Sequence, residues 1–306
     1  MMNPYSYRAD NPDFTTELTK VNRGWQRYTV SFPTAHPTRY EKSNTVWGEY
    51  FRPRTGSHKL PLVILVHGLG DRSVIPMKVL ARSLVGQGIA CFVLYLVLHS
   101  SRMPPGQPSS LSSDDWFENY RISVIDVRQV IDWAGTRDEI ASEQIAVVGI
   151  SFGGFISAIA MGIDSRIRAG VLITSGGNLE KVAFMSKTLP KRWGFRHTET
   201  EFSAQQQRYF QYLSEVAEKG WETAEPAERG FLIDALTYAG YLRNRPLLMI
   251  NAHRDEVIPR EATLDFWEAS GRPAISWFPG GHATIWLWYP FIKRKISRFL
   301  KVTFGL

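Results

Sequence analysis

From Pro61 onward the chain alternates short, continuous apolar runs with longer stretches in which apolar positions recur every three or four residues. Continuous apolar runs mark strands covered on both faces of a sheet, and the longer stretches are the helices that cover them. The runs are LPLVILVH (60–67), IACFVLYLVL (89–98), QIAVVGI (144–150), RAGVLITS (168–175), RPLLMINA (245–252) and PAISWF (273–278). Helices are predicted over about 73–86, 116–136, 152–163, 260–270 and 283–301. In the last of these Ile285, Trp288, Ile292, Ile296 and Leu300 share one face, and Lys293, Arg294, Lys295, Arg298 and Lys301 take the other. Such alternation predicts an α/β fold with a mostly parallel, doubly wound sheet. Before Pro61, Trp25–Phe32 and Val46–Phe51 alternate with period two, bounded by Pro33 and Pro53, and are expected to pair as antiparallel strands at the sheet edge.

Two segments interrupt the alternation. Residues 99–115, HSSRMPPGQPSSLSSDD, are rich in Ser and Pro and predict a long loop leaving a strand's C-terminal end. Residues 179–242 are polar and helix-prone between two predicted strands, where a crossover needs only one helix. They are expected to be a helical cap insertion, with 1–178 and 243–306 forming one core domain. Insertions at that edge of a doubly wound sheet are where ligand sites are built. Aromatics of the insertion, among them Phe184, Trp193, Phe195, Phe202, Tyr209, Tyr212 and Trp221, either line a substrate pocket or form the insertion's own core. Trp286 and Trp288 pose the same choice.

Composition narrows the class. At 306 residues, 44% hydrophobic and 21% charged, the chain can bury a large core, and bulk disorder is excluded. A net charge of +7 is modest and scattered, so the basic helix reads first as a solvated face and nucleic-acid binding is not expected as the main role. The one cysteine, Cys91, lies in an apolar run and reads as a small buried hydrophobe rather than half of a disulfide. Apolar runs fall short of the ~18–20 residues of a membrane span, and the polar start MMNPYSYRADNPDF has no secretory apolar region. No transmembrane segment and a cytoplasmic compartment are therefore expected, and a homo-oligomer is compatible with the sequence.

The chemistry concentrates at AVVGISFGGF, residues 146–155, which sets Ser151 in G-x-S-x-G between a predicted strand and a predicted helix. That turn lifts a hydroxyl above the sheet and needs Gly-sized residues at 149 and 153 for close backbone approach. The bare motif is short, and its strand-turn-helix context is the stronger signal. A serine needs a base to accept its proton and a carboxylate to orient that base. His282, in FPGGHATIW, lies in a Gly-flanked loop between the last strand and the last helix. Asp255, in RPLLMINAHRDEVIP, follows a strand's C-terminal end, with Glu256 as its rival. The order Ser151, Asp255, His282 is the Ser…Asp/Glu…His order, unlike those of chymotrypsin and subtilisin. His253 reads as structural, and His36, His58 and His197 lie in polar segments away from any motif.

A further element is VILVHGLGD, residues 63–71, a strand ending in His67-Gly68-Leu69-Gly70. With it, the chain resembles the α/β-hydrolase superfamily over roughly 45–300, in its esterase, dienelactone-hydrolase-like and prolyl-oligopeptidase-like branches. The resemblance implies that the N–H groups of Leu69 and Phe152 form an oxyanion hole and that His67 ties the loop. A serine at 151 departs from the Asp of haloalkane dehalogenases and epoxide hydrolases and from the Cys of dienelactone hydrolases proper. The HGLG loop is not the HGGG of the hormone-sensitive-lipase group, and no N-terminal propeller of the prolyl-oligopeptidase kind is expected. Neither metal-ligand spacing nor a GxGxxG or P-loop pattern occurs, so no cofactor and no metal are expected. Asp71 and Arg72 could touch a polar substrate or serve as a helix cap and a surface pair.

The expected function is hydrolysis of small-molecule carboxylic esters through an acyl-enzyme on Ser151. Amide or thioester cleavage and acyl transfer use the same residues and stay open. A non-catalytic binding protein of the same fold is the reading from another class.

Overall fold

The computed structural model describes residues 3–9, 13–54, 59–70, 74–104, 112–189 and 198–306. Its frame is a nine-stranded sheet in the order β1-β2-β3-β5-β4-β6-β7-β8-β9. The strands are β1 (Thr15–Val21), β2 (Trp25–Pro33), β3 (Thr45–Pro53), β4 (Leu60–Val66), β5 (Ala90–Tyr95), β6 (Ile140–Ile150), β7 (Ile167–Ile173), β8 (Leu247–Ala252) and β9 (Ala274–Phe278). Pairing is antiparallel from β1 through β3 to β5, and parallel from β5 through β4 to β9.

Helices cover both faces, as the apolar runs require. One face carries α1 (Val74–Val85) and α8 (Tyr289–Phe304), which pack Leu80, Leu84, Ile292 and Ile296 against Val63, Val93 and Val148. The other carries α2 (Ser113–Gly135), α3 (Phe152–Ile163) and α7 (Arg260–Ala269). Between β7 and β8 lie α4 (Leu179–Met185), α5 (Glu199–Lys219) and the single turn α6 (Ala235–Tyr238), which bury Tyr209, Tyr238 and Leu236 in the core of that same face. Cys91 is fully buried, and burial pushes its thiol pKa up, leaving the protonated, inert form.

Several elements differ from the sequence expectation. β1 is the true edge strand; its residues TTELTKV are nearly all exposed, so they carry no apolar period, and hydrogen bonds to β2 alone define it. Helix α2 starts at Ser113 rather than near 116 because Ser112 and Asp115 form a reciprocal cap: the Ser112 hydroxyl accepts the Asp115 N–H at 3.1 Å, and the Asp115 carboxylate accepts the Ser112 N–H at 3.3 Å. The predicted helix over 283–301 divides into a 3₁₀ turn, Thr284–Trp288, and α8, whose first turn holds Pro290; a proline has no N–H to continue a helix through that point. β5 ends at Tyr95, although Leu96, Val97 and Leu98 are buried, because the chain turns there and Leu98 takes φ 60°.

The sheet grows outward in both directions from β4, with β5 on one side and β6 on the other. The crevice at the carboxyl ends of these strands is where a doubly wound sheet receives a ligand. The loop after β4 and the turn after β6 meet there.

Candidate active site

Gly149 and Ile150 close β6, and Ser151 precedes α3 in a strained conformation, φ 51° and ψ −118°. Such a backbone costs about 1–3 kcal/mol in a non-glycine residue and persists only where its surroundings hold it. Here the Ser151 N–H donates to Ile173 O at 2.8 Å, and its carbonyl accepts the Gly154 N–H at 2.8 Å. A Cβ on Gly149 would lie 2.2 Å from Gly153 O, and one on Gly153 would lie 2.3 Å from Val66 O. The turn is therefore pressed against itself and against the end of β4, which only glycine permits at these two positions.

The Ser151 hydroxyl lies 2.9 Å from His282 Nε2. His282 Nδ1 lies 2.9 Å from each carboxylate oxygen of Asp255. A carboxylate only accepts, so Nδ1 carries the ring proton and Nε2 presents its lone pair to the serine hydroxyl. Asp255 is itself fixed, because Oδ1 accepts the N–H groups of Val257 and Ile258 at 2.9 Å each. The side chains of Asp255 and His282 are largely shielded, at 6% and 18% exposure, which strengthens their attraction. The structure thus brings Ser151, His282 and Asp255 into one hydrogen-bonded line from three distant parts of the chain.

Glu256, the rival carboxylate, faces the same loop but holds its backbone: Oε2 accepts the His282 N–H at 3.0 Å. A Cβ on Gly281 would lie 2.2 Å from that oxygen, so the glycine before the histidine leaves room for the carboxylate.

The His67 ring closes the loop after β4. Its Nε2 accepts the Leu96 N–H at 3.1 Å, so Nδ1 is the protonated nitrogen, donating to Gly68 O at 2.7 Å. A Cβ on Gly68 would lie 3.3 Å from the Ser151 Cβ, which sets the loop directly against the serine turn. Neither the Leu69 nor the Phe152 N–H has an acceptor among the described residues. Phe152 opens α3, whose first N–H groups have no intrahelical partner.

Sequence patterning missed His99, which stacks on the Phe152 ring with centroids 6.0 Å apart and meets His67 edge-on at 5.3 Å. The fully buried Arg102 holds this loop down: it pairs with Asp126 of α2 at 2.6 Å and donates to the carbonyls of Ser43 and Tyr95. The only signal for either residue was their position just past a strand's C-terminal end.

Ser151 opens into a mainly apolar cavity of about 560 Å³, whose walls include Leu69, Phe152, Trp116, Val182, Tyr209 and Ile258. Of the aromatics singled out between β7 and β8, Tyr209 reaches it. Trp221 packs edge-on against Tyr5 and Tyr238, and Phe184 stacks on Phe202 with centroids 4.2 Å apart. His253 is exposed beside Trp277, and His36 bonds Ser6 O at 3.0 Å, so both stand apart from the site. His58, Asp71, Arg72, Trp193, Phe195 and His197 lie outside the described residues. Among the described residues no cluster of three or more His, Cys, Asp or Glu could hold a metal ion, and no helix is long and apolar enough to cross a membrane.

The model of a family described as "alpha/beta hydrolase fold" matches residues 61–287. Among solved structures, the chain is similar to an acetyl xylan esterase from Paenibacillus sp. R4, with TM-score 0.67 and 18% identity over 96% of this chain and 89% of that one. A cold-adapted esterase from an Arctic intertidal metagenomic library gives TM-score 0.59 and 16% identity over 97% and 100%. At that identity these likenesses show the shared fold. An uncharacterized protein of Mycobacterium tuberculosis strain H37Rv is 23% identical over 180 residues, which cover 58% of this chain and 36% of that protein. The match thus spans about a third of that relative's length.

Proposed function

Since this chain belongs to the alpha/beta hydrolase fold family, we propose that it is a serine hydrolase that cleaves carboxylic esters. The observation that carries the reading is the line from the Ser151 hydroxyl through His282 to Asp255, with every link at 2.9 Å.

Ser151 Oγ attacks the ester carbonyl carbon as its proton passes to His282 Nε2. The negative oxygen of the tetrahedral adduct is bound by the N–H groups of Leu69 and Phe152, and Asp255 stabilises the imidazolium. Collapse expels the alcohol, which takes the proton from His282 and leaves an acyl group on Ser151. Water, deprotonated by His282, repeats the attack and releases the carboxylic acid.

Residues 179–242 act as the cap over this site in our reading, since Tyr209, Phe231 and Ile233 line the same cavity as Ser151. The ester assignment rests on the mainly apolar cavity and on esters being the least demanding acyl donors; both solved relatives named above are described as esterases. Amides, thioesters and transfer to an alcohol would use the same groups. A cytoplasmic setting fits a chain whose one cysteine is sealed as a thiol.

The test compares p-nitrophenyl esters of graded acyl length with aminoacyl anilides. Turnover of the esters, lost by several orders of magnitude in Ser151→Ala, is expected. Preference for the anilides would move the assignment to a peptidase, and substantial activity in Ser151→Ala would remove the nucleophile.

A further inference from the structure

Beyond the reacting groups, the cavity wall contains two adjacent polar side chains of α2 whose donors find no acceptor among the described residues. Asn119 and Tyr120 are 2% and 7% exposed, and both line the cavity. The one contact of the Asn119 amide is its Oδ1, approached by the Ser123 hydroxyl at 3.4 Å, and its Nδ2 has no partner among the described residues. The Tyr120 hydroxyl has none either, while its ring packs edge-on against Phe152 with centroids 4.8 Å apart. Tyr50 and Tyr212 also carry unpartnered hydroxyls, but those are sealed inside protein. Asn119 and Tyr120 instead line the cavity, and neither of their donors is among the fully sealed, unpartnered side-chain atoms.

Buried polar atoms almost always have partners, and leaving a donor unpaired costs free energy that an apolar residue of the same shape would avoid. In a mainly apolar pocket, a few such groups orient the ligand and set specificity. Both groups are donors here: Nδ2 by nature, and the tyrosine because burial holds its hydroxyl protonated. The same cavity is lined by the carboxylates of Glu180, Glu228 and Asp234, which oppose an anion.

We propose that Asn119 and Tyr120 read a neutral, hydrogen-bond-accepting oxygen on the substrate, so that the preferred esters carry an ether, hydroxyl or carbonyl oxygen in addition to the scissile group. This inference rests on the esterase reading above.

The test uses matched substrates in which an ether oxygen replaces one chain methylene at successive positions. One series varies the acyl group of p-nitrophenyl esters, and the other varies the alcohol of acetates. The readout is the ratio of kcat/KM for the oxygenated ester to that for its methylene counterpart, in wild type, Tyr120→Phe and Asn119→Leu. At one position in one series each variant should lower that ratio about tenfold, the worth of a buried hydrogen bond. A carboxylate at that position should be hydrolysed more slowly than the ether. Tyr120→Phe removes only an unpartnered oxygen and keeps the test valid if Asn119→Leu fails to fold. A wild type that turns over both series with the same ratios as its variants overturns this inference alone. A wild type that hydrolyses no ester and forms no fluorophosphonate adduct at Ser151 overturns it together with the esterase reading.

Discussion

Glu256 accepts the backbone N–H of His282 at 3.0 Å while the adjacent Asp255 takes the ring of the same residue at 2.9 Å. Two consecutive carboxylates therefore hold one histidine, by its main chain and by its side chain. Only Asp255 fixes the tautomer. Asp255→Asn should lower kcat by about 10³–10⁴-fold, because an amide nitrogen can meet Nδ1 and favour the wrong protonation. Glu256→Ala should lower kcat/KM about tenfold through loosened placement of the loop, and Glu256→Gln, which keeps an acceptor oxygen, should restore most of it. Steady-state kinetics on a p-nitrophenyl ester separates the two roles.

Gly153→Ala should destabilise the protein by about 3 kcal/mol or more, because the new Cβ would meet Val66 O at 2.3 Å and His67 O at 2.4 Å, backbone atoms at the end of β4 and in the first residue after it. Gly240→Ala, where nothing lies within 4 Å, should stay within about 0.5 kcal/mol of wild type. Urea unfolding of the two variants gives the comparison.

How much of this was legible in the sequence follows from where each signal lies. Ser151, Asp255 and His282 could be placed because each follows the carboxyl end of a parallel strand whose apolar run is unmistakable, and chain order then fixed their partners. Asp255 could be ranked over Glu256, but the task of Glu256 could not be seen, since it depends on a loop folding back across 26 residues. β1 carries no apolar period because both its faces are exposed. His99, Asn119 and Tyr120 belong to no motif, and tertiary packing alone sets them on the cavity wall.

Arg102→Met should cost about 3–5 kcal/mol, since it strands the fully buried Asp126, whose carboxyl pKa burial already raises. Arg102→Met with Asp126→Leu should recover much of that loss. A double-mutant cycle by thermal unfolding measures the coupling. Esterase turnover should fall with the single variant as well, because the Arg102 segment carries His99 against Phe152.

Asp234 is fully buried beside Tyr209, and burial, partly offset by the N–H groups of Leu236, Leu179 and Asn178, pushes its pKa up to about 6 from an ordinary 3.8. The folded state therefore holds this proton more tightly than the unfolded chain. The group's contribution to stability is greatest below about pH 4, falls as pH rises through 6 and is constant above, by on the order of 3 kcal/mol in all. The stability difference between wild type and Asp234→Asn, measured by urea unfolding from pH 4 to 7, should shrink in that direction. A difference that is flat or grows with pH would contradict it.

The central claim is that the Ser151 oxygen is an activated nucleophile. Intact-protein and peptide mass spectrometry after brief exposure to a fluorophosphonate tests it directly. The account predicts one adduct, on Ser151, formed rapidly by the wild type and slowed by orders of magnitude in His282→Ala. A folded wild type that stays unmodified, or that carries the adduct on another serine, would contradict it.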